Sequence, residues 1–172
     1  MSEVLRLRLC ADSLPLVTLA LGLAAADAIV NVANVAPDLR WPNDVLLNNR
    51  KCAGILVQLH DGVLIAGIGI NVNHTSFPAE IASSATSLRI ATGRDYNLGT
   101  LLTALIEAIH EHIDNLLQNG RESVLRAFSQ ASSYVRGRRV IVDQNGQELT
   151  GVTDGLDPQG FLPCAKTTDR EP

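Results

Sequence analysis

Lys51 stands at the head of the apolar run Cys52 to Leu59. A cation at the edge of a buried strand can reach an anion in a cleft while its aliphatic stem stays packed, and the competing reading is a lysine that snorkels to the surface. A second polar group, Asn43-Asp44, follows Arg40-Trp41-Pro42. Pro42 biases Trp41 toward extended backbone and cannot donate to a ladder, so the chain should leave a strand there and place Asn43 and Asp44 on a turn. Turns at strand ends are where polar side chains meet ligands. A third group, Gly67-Ile68-Gly69-Ile70-Asn71-Val72-Asn73, ends in two amides that could read a purine edge or cap a loop. Glycine inside a strand, as at Gly54, Gly67 and Gly69, weakens it unless a ligand or another backbone comes close; a bulge or tight packing is the alternative.

The elements that must position these groups are legible around them. Short strands near Leu39 to Trp41 and Val45 to Leu47 precede a hairpin with arms Lys51 to Leu59, read as buried, and Val63 to Val72. Asp61-Gly62 supplies the positive-φ residues of its turn. Upstream, Val4 to Cys10 alternates as a half-buried strand, and Ser13 with Pro15 opens a helix from about Leu14 to Val32 that Ala36-Pro37-Asp38 breaks. Downstream, Asn73 to Asn97 is a polar loop with a short helix near Ser87 to Ala91. Leu101, Leu105, Ile109, Ile113 and Leu116 recur at helical spacing until Gly120, and Arg121 to Ala131 forms a second helix. Strands follow at Val140 to Asp143, Glu148 to Thr153 and Phe161 to Ala165, with Asn145-Gly146 and Asp157 to Gly160 between them. The composition shift near Gly137 divides the chain into 1–136 and 137–172.

With 172 residues and 46% hydrophobic composition the chain is long enough for one substantial core and a small appended unit. Fourteen basic against 18 acidic residues, a net charge of −4, argue against a nucleic-acid partner. Cys10, Cys52 and Cys164 are odd in number and widely spaced, which fits reduced cytoplasmic thiols without a disulfide or a zinc site. Leu14 to Val30 is apolar enough to suggest a secretory signal or a membrane span. Asp27 interrupts it and a strand-like stretch replaces the charged leader, so an Ala-rich buried helix and no membrane partner are expected.

Other groupings carry less chemistry. Arg136-Gly137-Arg138-Arg139 reads as a solvated basic linker. His110 and His112 are two apart on a helix, point to different faces, and read as surface histidines rather than zinc ligands. Asp154 and Asp157 lie among turn residues and read as turn formers.

Taken together, Arg40-Trp41-Pro42-Asn43-Asp44-Val45, Asn49-Arg50-Lys51-Cys52-Ala53-Gly54-Ile55-Leu56 and Gly67 to Asn73 resemble, in order and spacing, the core of a biotin protein ligase. The resemblance extends over about Leu5 to Leu162. It implies an α+β fold: a mixed sheet with helices like the class II aminoacyl-tRNA synthetase catalytic domain over 1–136, then a small, incomplete β-barrel over 137–172. The implied substrates are biotin and ATP, with Mg2+ accompanying ATP and no resident metal. The implied partner is the biotin carboxyl carrier protein of acetyl-CoA carboxylase, in the cytoplasm; exposed strand edges are compatible with a homodimer.

By position, Lys51 matches the family lysine that contacts the biotin carboxylate and the adenylate phosphate. Asn43 and Asp44 match polar residues on the nucleotide and acceptor side, and Asn71 an amide facing adenine. Gly54 and Ile55 would bring backbone close to biotin. Lys51, Asp44 and Arg40 are thus the expected catalytic group, and Asn43, Lys51, Gly54, Ile55 and Asn71 the binding group. Arg40 replaces a usual lysine and keeps its charge, whereas Gln58 replaces a usual glutamate and would alter any ion pair made there. The family also has an arginine-glycine loop before these blocks, and this sequence opens at Met1 with the stretch that would follow it. An N-terminally truncated ligase and a catalytically impaired remnant are therefore both compatible with the sequence. A lipoate ligase fits the general architecture but not the Trp-Pro-Asn-Asp block, and a repressor would need a helix-turn-helix segment ahead of it.

Overall fold

A computed structural model of the chain describes residues 13–61, 63–144 and 147–166. The strand expected at Val4 to Cys10, the second residue of the Asp61-Gly62 turn, Asn145-Gly146 and the last six residues lie outside this set.

Helix α1 (Leu14–Ala33) is the centre of the molecule. Pro15 is accommodated in its first turn, where a missing N–H costs nothing. The helix ends before Ala36-Pro37 because Asn34 turns left-handed (φ 52°) and its N–H caps Val30 O. It is long and apolar enough to cross a membrane, yet most of its surface is covered inside the protein. Helices α3 (Leu98–Asn119) and α4 (Arg121–Ala131) pack on one side and a sheet on another, which accounts for an apolar residue at nearly every position.

That sheet has the order β1 (Asp38–Arg40), β2 (Asp44–Leu47), β3 (Arg50–His60) and β4 (Val63–Ile70), all antiparallel. Asn48 and Asn49, at φ 52° and 60°, make the tight β2–β3 turn. Asparagine tolerates this left-handed region, and primed turns match the twist of the strands. The β3–β4 turn has His60 opposite Val63 and Asp61 at φ 48°, as the Asp-Gly pair predicts. Chain burial differs from the expected buried strand. Cys52, Ala53 and Ile55 are buried against α1, but Leu56 (59% exposed) and Leu59 stand in solvent with Val63 (61%) and Ile65 opposite. Val57 and Leu64 of this outer half are partly buried against the core, while these four apolar side chains remain exposed among the described residues.

Helix α2 (Leu88–Thr92) is capped by Ser87, whose side chain accepts from Ile90 N, and α3 by Asn97, which accepts from Thr100 N. Gly120 (φ 73°) ends α3, and Val124 and Phe128 of α4 close the core. His112, expected at the surface, instead places Nε2 2.7 Å from Asp27 Oδ2 and joins α3 to α1. The charge that interrupts the α1 apolar run is therefore part of a helix–helix contact.

A second, three-stranded antiparallel sheet comprises β5 (Arg136–Gln144), β6 (Gln147–Asp154) and β7 (Cys164–Lys166). Arg136 to Arg139 are strand residues rather than a linker. Gly137 (φ 72°) forms an irregularity in the ladder there, and the Arg138 guanidinium lies 4.8 Å over the Tyr134 ring. Asp154 ends β6 instead of forming a turn, whereas Asp157 accepts from Gln159 N and Phe161 N through Oδ1 and does form one. Strand β7 starts at Cys164, later than expected, since Pro163 has no N–H to give a ladder. Ser132 Oγ donates to Leu39 O, and Ser133 donates from both N and Oγ to the Asp38 carboxylate, so the segment entering β5 is fastened to β1.

Candidate functional site

Arg40 and Asp44 face each other across the turn Trp41-Pro42-Asn43, one ending β1 and the other opening β2. Arg40 Nη2 donates to Asp44 Oδ2 at 2.5 Å, and Lys51 Nζ lies 2.6 Å from Oδ1. The lysine approach is an ion pair without an aligned hydrogen bond on Oδ1. Asp44 is only 12% exposed while both cations are about half exposed. One carboxylate thus holds two cations, and the group keeps an excess positive charge facing outward.

Lys51 reaches this position through an irregularity in strand pairing. Val45 pairs with Ala53 but Leu46 with Lys51, so β3 carries an extra residue at Cys52. In a regular strand Lys51 and Gly54 would point to opposite faces; the bulge puts them on the same one. Cys52 and Ala53 are consequently buried in succession. Gly54 lies opposite Asp44, and a Cβ built on it would come within 2.9 Å of Lys51 Cε and 3.1 Å of Nζ. The missing side chain leaves room for the ammonium to cross the strand toward Asp44. Gly67 and Gly69 have nothing within 4 Å of an added Cβ and keep space open instead.

Asn43 is clamped at both ends: its backbone O accepts from Ile55 N at 2.9 Å and its Nδ2 donates to Ile55 O at 2.8 Å. Asn71 uses its amide Nδ2 on Thr86 O at 3.1 Å and its backbone N on Cys52 O. Asn73 holds both the N and the O of Tyr96. It closes the loop, and so fills the capping alternative. Burial pushes the Cys52 thiol up to about 12, which keeps it protonated and unreactive at neutral pH. Gln58 is exposed on the outer half of β3 and does not line the cleft.

Asn43, Lys51, Gly54, Ile55 and Asn71 line an open cleft of about 800 Å3, with Arg40 and Asp44 joined to it through Lys51. Its other wall is the segment from Phe77 to Ala85. That segment is hydrogen-bonded to Lys51 itself, Lys51 N donating to Ser84 O and Thr86 N to Lys51 O. The bridge between Lys51 and Ala85 is the only parallel pairing among the described residues. Sequence reading treated this stretch as a polar loop and missed Phe77 and Ile81 as cleft residues. Two large apolar side chains inside an otherwise polar segment were the available signal. The cleft therefore has a cationic end, an apolar wall and a glycine-lined floor, a combination able to take a ligand with an anionic head and a flat or apolar body.

The model of the biotin/lipoate A/B protein ligase family matches residues 8–74. The bifunctional ligase/repressor BirA of Bacillus spizizenii is 33% identical over 94% of this chain and 52% of its own length. The biotin-[acetyl-CoA-carboxylase] ligase of Mycobacterium tuberculosis is 32% identical over 84% of this chain and 54% of its own. The chain spans about half the length of these curated relatives. Among solved structures, the biotin protein ligase of Aquifex aeolicus superposes with a TM-score of 0.84 at 29% identity, covering 91% of this chain and 70% of that one. Its complex with biotin and ATP superposes with a TM-score of 0.79 at 30% identity, over 87% and 63%.

Proposed function

The chain belongs to the biotin protein ligase family, and from that premise we propose that its cleft activates biotin with ATP and serves transfer of the biotinoyl group to a lysine of the biotin carboxyl carrier protein of acetyl-CoA carboxylase. In the first step a biotin carboxylate oxygen bonds to the α-phosphorus of ATP while the bond to pyrophosphate breaks, giving biotinoyl-adenylate. In the second the carrier lysine amine attacks the acyl carbon, AMP leaves with the bonding electron pair, and the amine loses a proton.

The observation that carries this reading is the placement of Lys51 over Gly54 at the cationic end of the cleft, held by Asp44. Both steps pass through states with negative charge on carboxyl and phosphoryl oxygens. A cation already in place stabilises those states without reorganisation. Lys51 is assigned to the carboxylate and the phosphate, where charge-assisted hydrogen bonds are the strong kind. Asp44 fixes Lys51 and Arg40, and Arg40 adds a second charge at the phosphate end. Gly54 and Ile55 let the biotin rings approach backbone, while Asn43 and Asn71, their amides committed to backbone carbonyls, shape the walls. Mg2+ is assigned to the incoming nucleotide, whose phosphates it would accompany.

We read residues 1–136 as the catalytic part and 137–172 as a small C-terminal unit, place the protein in the cytoplasm, in keeping with free Cys52 and Cys164, and expect self-association through exposed strand edges. Pyrophosphate release from ATP that depends on added biotin, and that is lost in Lys51→Ala, is the expected result. Its absence in the parent chain would refute the assignment of activity to this polypeptide.

A further inference from the structure

Trp41 sits between Arg40 and Asn43 in the turn that builds the cationic end of the cleft, and its indole Nε1 donates to Gly160 O at 2.9 Å across 119 residues of sequence. Gly160 belongs to the β6–β7 connection of the C-terminal sheet. This connection is stiffened from within: Asp157 Oδ1 accepts from Gln159 N and Phe161 N, Asp157 N donates to Phe161 O, and Gly160 N to Asp157 O. It is also wedged against the first turns of α1. Gly160 is buried at φ 89°, and a Cβ there would lie 3.4 Å from Leu16 Cδ2 and Leu19 Cδ1. A self-bonded loop seated on the central helix thus presents a fixed carbonyl to the one large side chain of the Arg40–Asp44 turn.

We propose that the Asp157–Gly160 loop is a positioning element for the cleft, acting through Trp41 to hold the turn that carries Arg40, Asn43 and Asp44. The C-terminal sheet is then part of the scaffold of the catalytic turn and not solely an appended surface. Trp41 and Asp157 are positioning residues, since neither lines the cleft. The consequence for catalysis rests on the functional reading above, whereas the consequence for the turn does not. Fixing a cation to within a fraction of an ångström matters most where charge develops in the transition state.

Two measurements on the full chain test this. In the first, hydrogen exchange in the free protein, Asp157→Ala is expected to speed exchange about tenfold in 40–47 while leaving 98–131 unchanged. Trp41→Phe keeps an aromatic side chain at the position while removing the donor and part of the indole's volume, and should raise exchange in both 40–47 and 157–163. Unchanged exchange in 40–47 in Trp41→Phe overturns the proposal whether or not Asp157→Ala folds. In the second, biotin-dependent pyrophosphate release, both variants should lose about tenfold in kcat with KM for biotin within about twofold. Asp157→Asn, which keeps the accepting Oδ1, should stay near the parent. The double variant should be no worse than the poorer single one, because both break one linkage; multiplied losses overturn the proposal. If the parent chain releases no pyrophosphate, the functional reading falls while exchange still decides the linkage. Trp41 is the only tryptophan in the sequence, so its emission reports any rearrangement of this turn without ambiguity.

Discussion

The inner and outer halves of the β3–β4 hairpin are built from the same kinds of residue and put them to opposite uses. In the inner half, Cys52, Ala53 and Ile55 are packed under α1, the bulge turns Lys51 onto the Gly54 face, and the glycine is closely occupied by a lysine stem. In the outer half Leu56, Leu59, Val63 and Ile65 stand in solvent. On β4, Gly67 and Gly69 adjoin empty space. Apolarity and glycine content therefore do not distinguish a strand that builds a site from one that leaves a surface. The discriminating features are what lies beneath the strand and whether its pairing is regular.

The sharpest way to break this comparison is Lys51→Ala, expected to lower biotinoyl-adenylate formation by about 10²- to 10³-fold, the scale of losing one preorganised charge-stabilising donor. Near-parent pyrophosphate release would remove the inner half from the chemistry. Next in size is a pair of truncations read by urea denaturation. Ile55→Ala, 2% exposed, should cost about 2–5 kcal/mol, whereas Ile65→Ala should change stability by about 0.5 kcal/mol or less. Equal losses would show that something covers the outer half in solution.

A smaller effect separates the glycines. In Gly54→Ala the new Cβ meets the flexible end of Lys51, so the lysine must move while the strand stays. Adenylate formation should fall about tenfold with stability changed by about 1 kcal/mol or less. Gly67→Ala should leave stability near the parent value by the same measurement.

The smallest effect near neutral pH concerns Cys52. Its thiol is raised from 9.0 to about 12 by burial, so above pH 9 the unfolded chain releases a proton that the folded chain retains. Stability should be full below that value and decline as pH rises from 9 toward 12. A Cys52→Ala variant should lose this component of the decline, measured as denaturation midpoint against pH.

Helices α1, α3 and α4 were legible because their signals are local: Pro15 near the start of one, apolar spacing through another, Gly120 between the last two. The hairpin turn at Asp61 was legible for the same reason, whereas Lys51, Gly54 and Asn43 were grouped only through the family resemblance, since strand register brings them onto one cleft. Less legible were Arg136 to Arg139, where a basic run proved to be a strand held by pairing with β6, and His112, whose partner Asp27 lies far away in sequence. Phe77 and Ile81 joined the cleft only because Ser84 and Thr86 bond to the backbone of Lys51.

The sequence by itself determined most of the helices and strands, the turn at Asp61 and the chemical character of the candidate site, since these follow from backbone preferences and side-chain types within a few residues. Only the tertiary structure decided that Lys51 would lie over Gly54 beside Asp44, that Leu56, Leu59, Val63 and Ile65 of the outer hairpin would be left exposed, and that Gly160 would receive the Trp41 N–H. Each of those depends on strand register or on contacts between distant segments. One extra residue in a ladder reverses the face a side chain presents, and no local preference encodes which residue that will be.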